Sequence, residues 1–359
     1  VIVDSFVSLA WATGNVVDEN FVDPSSCRCA MVRKVCSAYG DGFVSEQDMD
    51  LGAFDGRVII VNGARRRVGR AHALLFANEG AKVVVNDLGG AQDGSGADMG
   101  PADEVVAEIR DSGGEAIANG DSVADWEASQ HIINHAIETY GDLHGVVNNA
   151  GILRDRMLVN MTEEEFDLVI NVHQKGTWLM MRHAAAYWRE QVKAGNEVNA
   201  SIVNTSSTSG LHSNPGQINY GGAKAAIATM SIIAARELKR YGVRVNAIAP
   251  SARTRMTLAT PGLSDRIKEP EDGSFDVWDP ANISPLVGWL CSADCEATAQ
   301  VYWIGGNRVG RYQEWTQADA ASTDDMWSIE SIADVAGSWE TAHHNTRGLR
   351  ITGNEELSY

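Results

Sequence analysis

Residues 57–87 read Arg57-Val-Ile-Ile-Val61, then Asn62-Gly63-Ala64-Arg65-Arg66-Arg67-Val68-Gly69, then a helical pattern from Ala71 to Asn78 closed by Gly80, then Lys82-Val-Val-Val-Asn86-Asp87. A short β-branched run with no polar alternation makes a strand buried on both faces. Two such runs separated by a glycine turn and one amphipathic helix form a strand–turn–helix–strand unit. Its helix N-terminus faces the turn and presents unpaired backbone N–H groups, which suit a pyrophosphate. Asp87 follows 24 residues after Gly63, where a carboxylate can accept hydrogen bonds from adenosine ribose hydroxyls and repel a 2′-phosphate. The stretch therefore predicts a dinucleotide site that prefers NAD over NADP. The plainer reading of Asp87 is a turn or helix-capping residue.

A second group of residues carries chemistry. Tyr220 and Lys224 stand four apart in Tyr-Gly-Gly-Ala-Lys, with Ser207 thirteen positions upstream. Residues i and i+4 share a helix face, so the Lys224 ammonium can sit beside the Tyr220 ring. A free phenol has a pKa of about 10, and a nearby fixed cation favours its ionised form. Such a tyrosine can take a proton from an alcohol or return one to a ketone. Ser207 would donate a hydrogen bond to the same substrate oxygen. Alone, Tyr-x-x-x-Lys also describes an ordinary exposed helix face, so the reading depends on its surroundings.

With both groups in view, the chain resembles the short-chain dehydrogenase/reductase family over about residues 51–310. Asn148-Asn149-Ala150-Gly151, after the strand ending at Val147, is similar to the family segment that supports the central sheet near the cofactor. Asp121, with Ser122 beside it, matches the acid that contacts the adenine ring. Val245-Asn246-Ala247-Ile248-Ala249-Pro250 matches the strand and turn beside the nicotinamide, and Thr254 stands where the family holds the carboxamide. The resemblance implies catalysis by Ser207, Tyr220 and Lys224. It further implies cofactor contacts from Gly63, Arg65, Arg67, Val68, Gly69, Asp87, Asp121, Ser122, Asn149, Ala150, Gly151, Tyr220, Lys224, Pro250 and Thr254.

A narrower resemblance is to the dehydrogenase part of type-2 peroxisomal multifunctional enzymes and to actinobacterial hydroxyacyl-CoA and hydroxysteroid dehydrogenases. It rests on Val85-Asn-Asp-Leu-Gly-Gly90, Asn149-Ala-Gly-Ile-Leu-Arg-Asp-Arg156 and Ser284-Pro-Leu-Val-Gly-Trp-Leu-Cys291. In that subset a position usually held by asparagine carries histidine, as in Val172-His173-Gln174. His173 is then expected to support a proton relay behind Lys224, or else to be a packed helix residue. The implied substrate is a 3-hydroxyacyl-CoA or a steroid alcohol.

The chain departs from the family pattern in its phosphate turn, where Asn62 replaces a threonine and Arg67 replaces the middle glycine. That glycine lets backbone approach the pyrophosphate without a Cβ in the way. Arg67 must swing clear or block the site. Three consecutive arginines could instead pair with phosphate oxygens and admit a 2′-phosphate. Two rivals to an NAD enzyme follow: an NADPH-dependent carbonyl reductase, and a non-catalytic subunit that keeps the fold. Ser251 in place of glycine after Pro250 is a milder change.

The expected architecture is α/β, a Rossmann-like doubly wound parallel sheet with helices on both faces. About seven strands are expected, near 57–62, 82–86, 115–119, 144–148, 200–206, 242–249 and 300–305. The residues between Ala252 and Pro280 have loop composition and are expected to cover the substrate. Helices around 162–193 and 217–240 carry apolar surface on more than one face, and by family analogy are expected to build a homodimer or homotetramer.

The net charge of −19 argues against a nucleic-acid or anionic-membrane partner, and it concentrates at the ends: −5 over residues 1–50 and −6 over residues 311–359. No apolar run reaches the ~18 residues of a membrane span. The five cysteines make no metal or redox pattern; Cys27, Cys29 and Cys36 cluster near the start, and Cys291 and Cys295 read as packed thiols on one helix face. Residues 1–48 are expected to be an N-terminal extension, disordered or preceding the natural start. Residues 49–310 form the catalytic domain, and residues 311–359 an acidic tail with a helix from Asp324 to Val335 capped by Thr323. With no basic segment ahead of the apolar opening and Glu356-Leu-Ser-Tyr359 at the end, the expected compartment is the cytoplasm.

Overall fold

The computed structural model describes residues 52–89, 100–253 and 267–338, apart from residues 316, 318, 319 and 325. Residues 1–51, which include the expected extension and the cysteines Cys27, Cys29 and Cys36, lie outside the described residues, as does Thr254. The chain divides into two compact units, Val1–Arg311 and Tyr312–Tyr359.

The first unit is built on one sheet. Its strands are β1 (Val58–Asn62), β2 (Lys82–Asn86), β3 (Glu115–Asn119), β4 (Gly145–Asn148), β5 (Ala200–Thr205), β6 (Val243–Ser251), β7 (Val301–Gly305) and β8 (Arg308–Arg311), in the order β3-β2-β1-β4-β5-β6-β7-β8. Seven strands run parallel, and β8 pairs antiparallel with β7. The eighth strand was not expected. Gly305 pairs with Arg308 across the two-residue loop Gly306-Asn307, with Gly306 at φ 56°, a hairpin turn that the sequence carries openly.

Each strand feeds both faces of the sheet, because successive side chains alternate. Ile59, Val61, Val83, Val85, Val147, Val203 and Ile248 form one core with α1 (Arg67–Asn78), α2 (Gly100–Asp111) and, beyond β6, α8 (Ser284–Cys291). Val58, Ile60, Val84, Val146, Ile202 and Val245 form the other, with α3 (Trp126–Tyr140), α5 (Gly176–Lys193) and α7 (Ile218–Leu238). Two shorter helices, α4 (Glu163–Ile170) and α6 (Thr208–His212), complete this unit, and one π-helical turn, Asn171–Lys175, joins α4 to α5. Strand order reverses between β1 and β4, which opens a crevice at their carboxyl ends.

Those carboxyl ends are cross-linked by asparagines in register. Asn62 Nδ2 donates to Asn148 Oδ1 at 2.8 Å, Asn148 Nδ2 to Asn204 Oδ1 at 2.8 Å, and Asn204 Nδ2 to Ser231 Oγ at 2.9 Å. All three asparagines are buried, and a buried amide needs such partners. The departure at Asn62 thus has a structural use: it extends this ladder to β1.

Two local expectations are corrected. Cys295 lies beyond the end of α8 instead of sharing its face with Cys291, although both side chains are buried. In the second unit, α9 spans Ile329–Ser338, not 324–335. Its first turn is satisfied by Ser328, whose Oγ accepts from Ser331 N at 3.0 Å, so Ser328 and not Thr323 takes the capping role.

Candidate active site

The phosphate turn starts where β1 ends. Gly63 has φ 65°, and a Cβ there would come within 2.7 Å of the Ala150 Cα. A Cβ on Gly69 would overlap the Gly63 carbonyl. Asn149 Nδ2 donates to that same carbonyl at 3.0 Å. The two glycines therefore let the turn lie against Asn149-Ala150, which holds it at the mouth of the crevice.

The three arginines part company. Arg65 turns to Asp87: its N–H donates to Oδ2 at 3.3 Å, its Nε lies 3.4 Å from Oδ1, and a terminal nitrogen donates to the Gly89 carbonyl at 2.6 Å. Asp87 also accepts from Gly89 N at 2.8 Å. Arg66 is exposed at the N-cap of α1. Arg67 adopts φ 47°, the left-handed backbone that glycine would take without strain, and its guanidinium swings away to donate to the Arg253 carbonyl at 2.9 Å. Burial, with Arg253 and Arg66 nearby, holds the Arg67 pKa below its usual value. Arg253 is itself anchored, pairing with Asp276 and donating to the Ile267 carbonyl at 3.0 Å.

At the end of β3, Asp121 accepts from Asn119 Nδ2 at 2.9 Å and lies 2.5 Å from His131 Nδ1. His131 stacks on His135 with ring centroids 5.9 Å apart. Their i, i+4 spacing on α3 is visible in the sequence but matches no motif. Ser122 Oγ accepts from Ala124 N at 3.2 Å. Val68 is buried in the core beside the turn, and Pro250 sits in β6 opposite Ile304. Ser251 Oγ accepts from Trp303 Nε1 at 3.0 Å, so the serine that replaces glycine there is in use.

The fold brings Ser207, Tyr220 and Lys224 together. Ser207 follows β5 and caps α6, accepting from Ser209 N at 3.1 Å. Tyr220 lies in the first turn of α7 and hydrogen-bonds to Ser207. Lys224, one turn on, is buried, with its Nζ 5.6 Å from the Tyr220 ring centroid and donating to the Thr205 carbonyl at 2.6 Å. Without a ligand, burial dominates both groups. It pushes the Tyr220 phenol up to about 12 despite the Ser207 hydrogen bond, and the Lys224 ammonium down to about 7. Burial and the Asp155 charge oppose ionisation of the phenol, and the Ser207 hydrogen bond favours it.

His173 occupies the π-helical turn and is buried. Its Nε2 lies 2.8 Å from the Ile152 carbonyl, and its ring meets the Tyr220 ring edge-on with centroids 5.1 Å apart. Burial pushes its pKa down to about 3, so it is neutral near pH 7. A Cβ on Gly151 would overlap the imidazole, which accounts for the glycine. Nδ1 has no hydrogen-bond partner among the described residues. The histidine thus packs against Tyr220 and the residues after β4; no hydrogen bond from it to Lys224 appears among the described residues.

A family model described as enoyl-(acyl carrier protein) reductase matches residues 63–304. A hydroxyacyl-CoA dehydrogenase of Mycobacterium tuberculosis is 43% identical over 257 residues, covering 71% of this chain and 78% of that protein. The mouse peroxisomal multifunctional enzyme type 2 is 38% identical over 289 residues, covering 80% of this chain and 36% of the longer enzyme. The crystal structure of a short chain dehydrogenase from Mycobacterium avium superposes with a TM-score of 0.71 at 48% identity, covering 80% of this chain and 95% of that one.

Proposed function

This chain belongs to the short-chain dehydrogenase/reductase family of oxidoreductases acting on CH–OH groups, and from that premise we propose that it interconverts a secondary alcohol and a ketone with NAD(H). The observation that carries the reading is the cluster of Ser207, Tyr220 and Lys224 at the carboxyl end of β5, beside the phosphate turn. The proposed substrate class is a 3-hydroxyacyl-CoA or a hydroxysteroid, supported by the relatives named as hydroxyacyl-CoA dehydrogenase and peroxisomal multifunctional enzyme.

The residues fit a dinucleotide. Arg67 keeps the glycine backbone and directs its side chain to Arg253, so its Cβ substituent leads away from the turn. Gly63, Arg65, Val68, Gly69 and Asp87 would hold the phosphates and ribose, Asp121 and Ser122 the adenine end, and Asn149, Ala150, Gly151, Pro250 and Thr254 the nicotinamide end. A bound nicotinamide supplies the hydride acceptor and, when oxidised, a positive charge beside the phenol. Ser207 orients the substrate oxygen by hydrogen bonding. Tyr220 accepts the hydroxyl proton in oxidation and returns it in reduction. Lys224, buried beneath the ring and anchored to the Thr205 carbonyl, is a cation beside the phenol below about pH 7. His173 buttresses the Tyr220 ring. Exposed Phe166, Trp178, Ile218 and Ile233 on α4, α5 and α7 supply apolar surface for the proposed homo-oligomer.

A second nucleotide reading has its own observation. The Arg65–Asp87 pair partly neutralises the carboxylate expected to repel a 2′-phosphate, and this favours NADP(H). Calorimetric titration with NAD+ and NADP+ decides between them, followed by turnover on 3-hydroxyacyl-CoA and hydroxysteroid panels. Tyr220→Phe should abolish turnover while leaving folding and nucleotide binding intact. Substantial residual activity would remove Tyr220 from the mechanism, and failure to bind either nucleotide would favour the non-catalytic subunit.

A further inference from the structure

We propose that Asp155 is a positioning residue for the Tyr220 phenol, clamping the first turn of α7 through Gln217 and setting by its charge the pH range over which the phenol exchanges its proton. The inference rests on the reading of Tyr220 as the proton-transferring group.

The clamp is visible in four contacts. Gln217, immediately before α7, donates from Nε2 to Asp155 Oδ2 at 2.7 Å. The neighbouring Arg156 N–H donates to the Gly216 carbonyl at 2.9 Å, and Asn219 Nδ2 donates to the Arg154 carbonyl at 3.0 Å. Asn219 Oδ1 in turn accepts from the Tyr220 N–H at 2.7 Å. Residues 154–156 thus grip Gly216, Gln217 and Asn219 just ahead of Tyr220, and the gripping side chains Gln217 and Asn219 are buried. Only Asp155 adds a charge to this clamp that the phenol feels: its carboxylate opposes the phenolate, alongside burial.

The other groups around it are accounted for. Arg156 offsets the Asp155 charge in part, but its guanidinium also lies 3.3 Å from Glu165. Burial raises the pKa of Asp155 itself, with Gln217 and Arg156 acting the other way. On the far side of the phenol, Lys224 is cationic only below about 7 and His173 is neutral there. In the alkaline range where a phenol titrates, the carboxylate is therefore the charge facing it, and it favours the neutral, proton-donating form. Its consequence is a site biased toward giving a proton to a carbonyl.

Asp155→Asn separates charge from clamp, since an asparagine Oδ1 can still accept from Gln217. Removing the negative charge makes the phenolate easier to form. The rising limb of kcat/KM for alcohol oxidation, and the falling limb for ketone reduction, should both move to lower pH by on the order of 0.5–1 unit. The nucleotide dissociation constant should stay unchanged. Asp155→Ala loses the clamp as well, and should show that shift plus a lower kcat. An unshifted profile in Asp155→Asn, with Tyr220→Phe inactive, would overturn the inference and leave the Tyr220 reading standing. An active Tyr220→Phe enzyme would overturn both. A loss of kcat in Asp155→Asn without any pH shift would reduce Asp155 to a structural residue.

Discussion

Arg67 offers a test in which backbone and side chain can be separated. An L-residue in the left-handed region costs ~1–2 kcal/mol relative to glycine, and glycine gives back ~0.4–1 kcal/mol through the greater freedom of its unfolded chain. At φ 47° the net advantage of glycine over alanine is therefore about 1 kcal/mol. The bond from the guanidinium to the Arg253 carbonyl is half-exposed and contributes about 1 kcal/mol. Both Arg67→Ala and Arg67→Gly lose that bond, but only the glycine variant relieves the backbone. Arg67→Ala should be less stable than the parent by about 1 kcal/mol, and Arg67→Gly should lie close to the parent. In urea the midpoints should separate in that order with unchanged slopes, and melting temperatures should differ by roughly 2 °C for a domain of this size. Nucleotide affinity should respond differently: both variants lose the same partly exposed cation, so both should weaken binding by the same factor, on the order of threefold. An alanine variant as stable as the glycine variant would refute the strain argument. Unequal affinities of the two would refute the view that only the cation, and not the backbone, contributes there.

Three further outcomes follow from close packing and burial, two of them beside the phenol and one that also involves His72, which bonds Ser284 in the core. Gly151→Ala drives a methyl into the His173 imidazole and should cost ~1–3 kcal/mol in unfolding experiments, with kcat falling as the ring pressing on Tyr220 shifts. Lys224 has a folded pKa of about 7 against an ordinary value of 10.5, so the unfolded chain holds the extra proton between those pH values. Stability should therefore rise as pH increases from about 7 to 10.5, and Lys224→Met should flatten that rise in pH-dependent denaturation. His72 and His173 are both pushed down to about 3 from 6.5, so stability should fall as pH drops from 6.5 toward 3, and His72→Gln should remove part of that fall.

How much of this was legible beforehand depends on whether a feature lives in side-chain identity or in backbone conformation. β1, β2 and β4 could be read because each is a run of β-branched residues bounded by turn residues, and the chemistry-bearing triplet because Tyr220 and Lys224 share a helix face. Asn62 and Arg67 looked like damage, since the motif records which residues usually stand there and not what the backbone asks of them. The structure gives Asn62 a place in the asparagine ladder, and shows that the turn demands a positive φ at position 67, a demand that arginine meets with strain instead of refusing. The lysine–tyrosine pair is a related case. Spacing places an ammonium near a phenol, but the sign of the resulting shift depends on how much water the fold removes from both. Burial here leaves a neutral phenol and a weakened ammonium. A site so dry responds strongly to each added or subtracted charge, which is why the Asp155 carboxylate and the charge of an incoming nicotinamide should have opposite effects on the same proton.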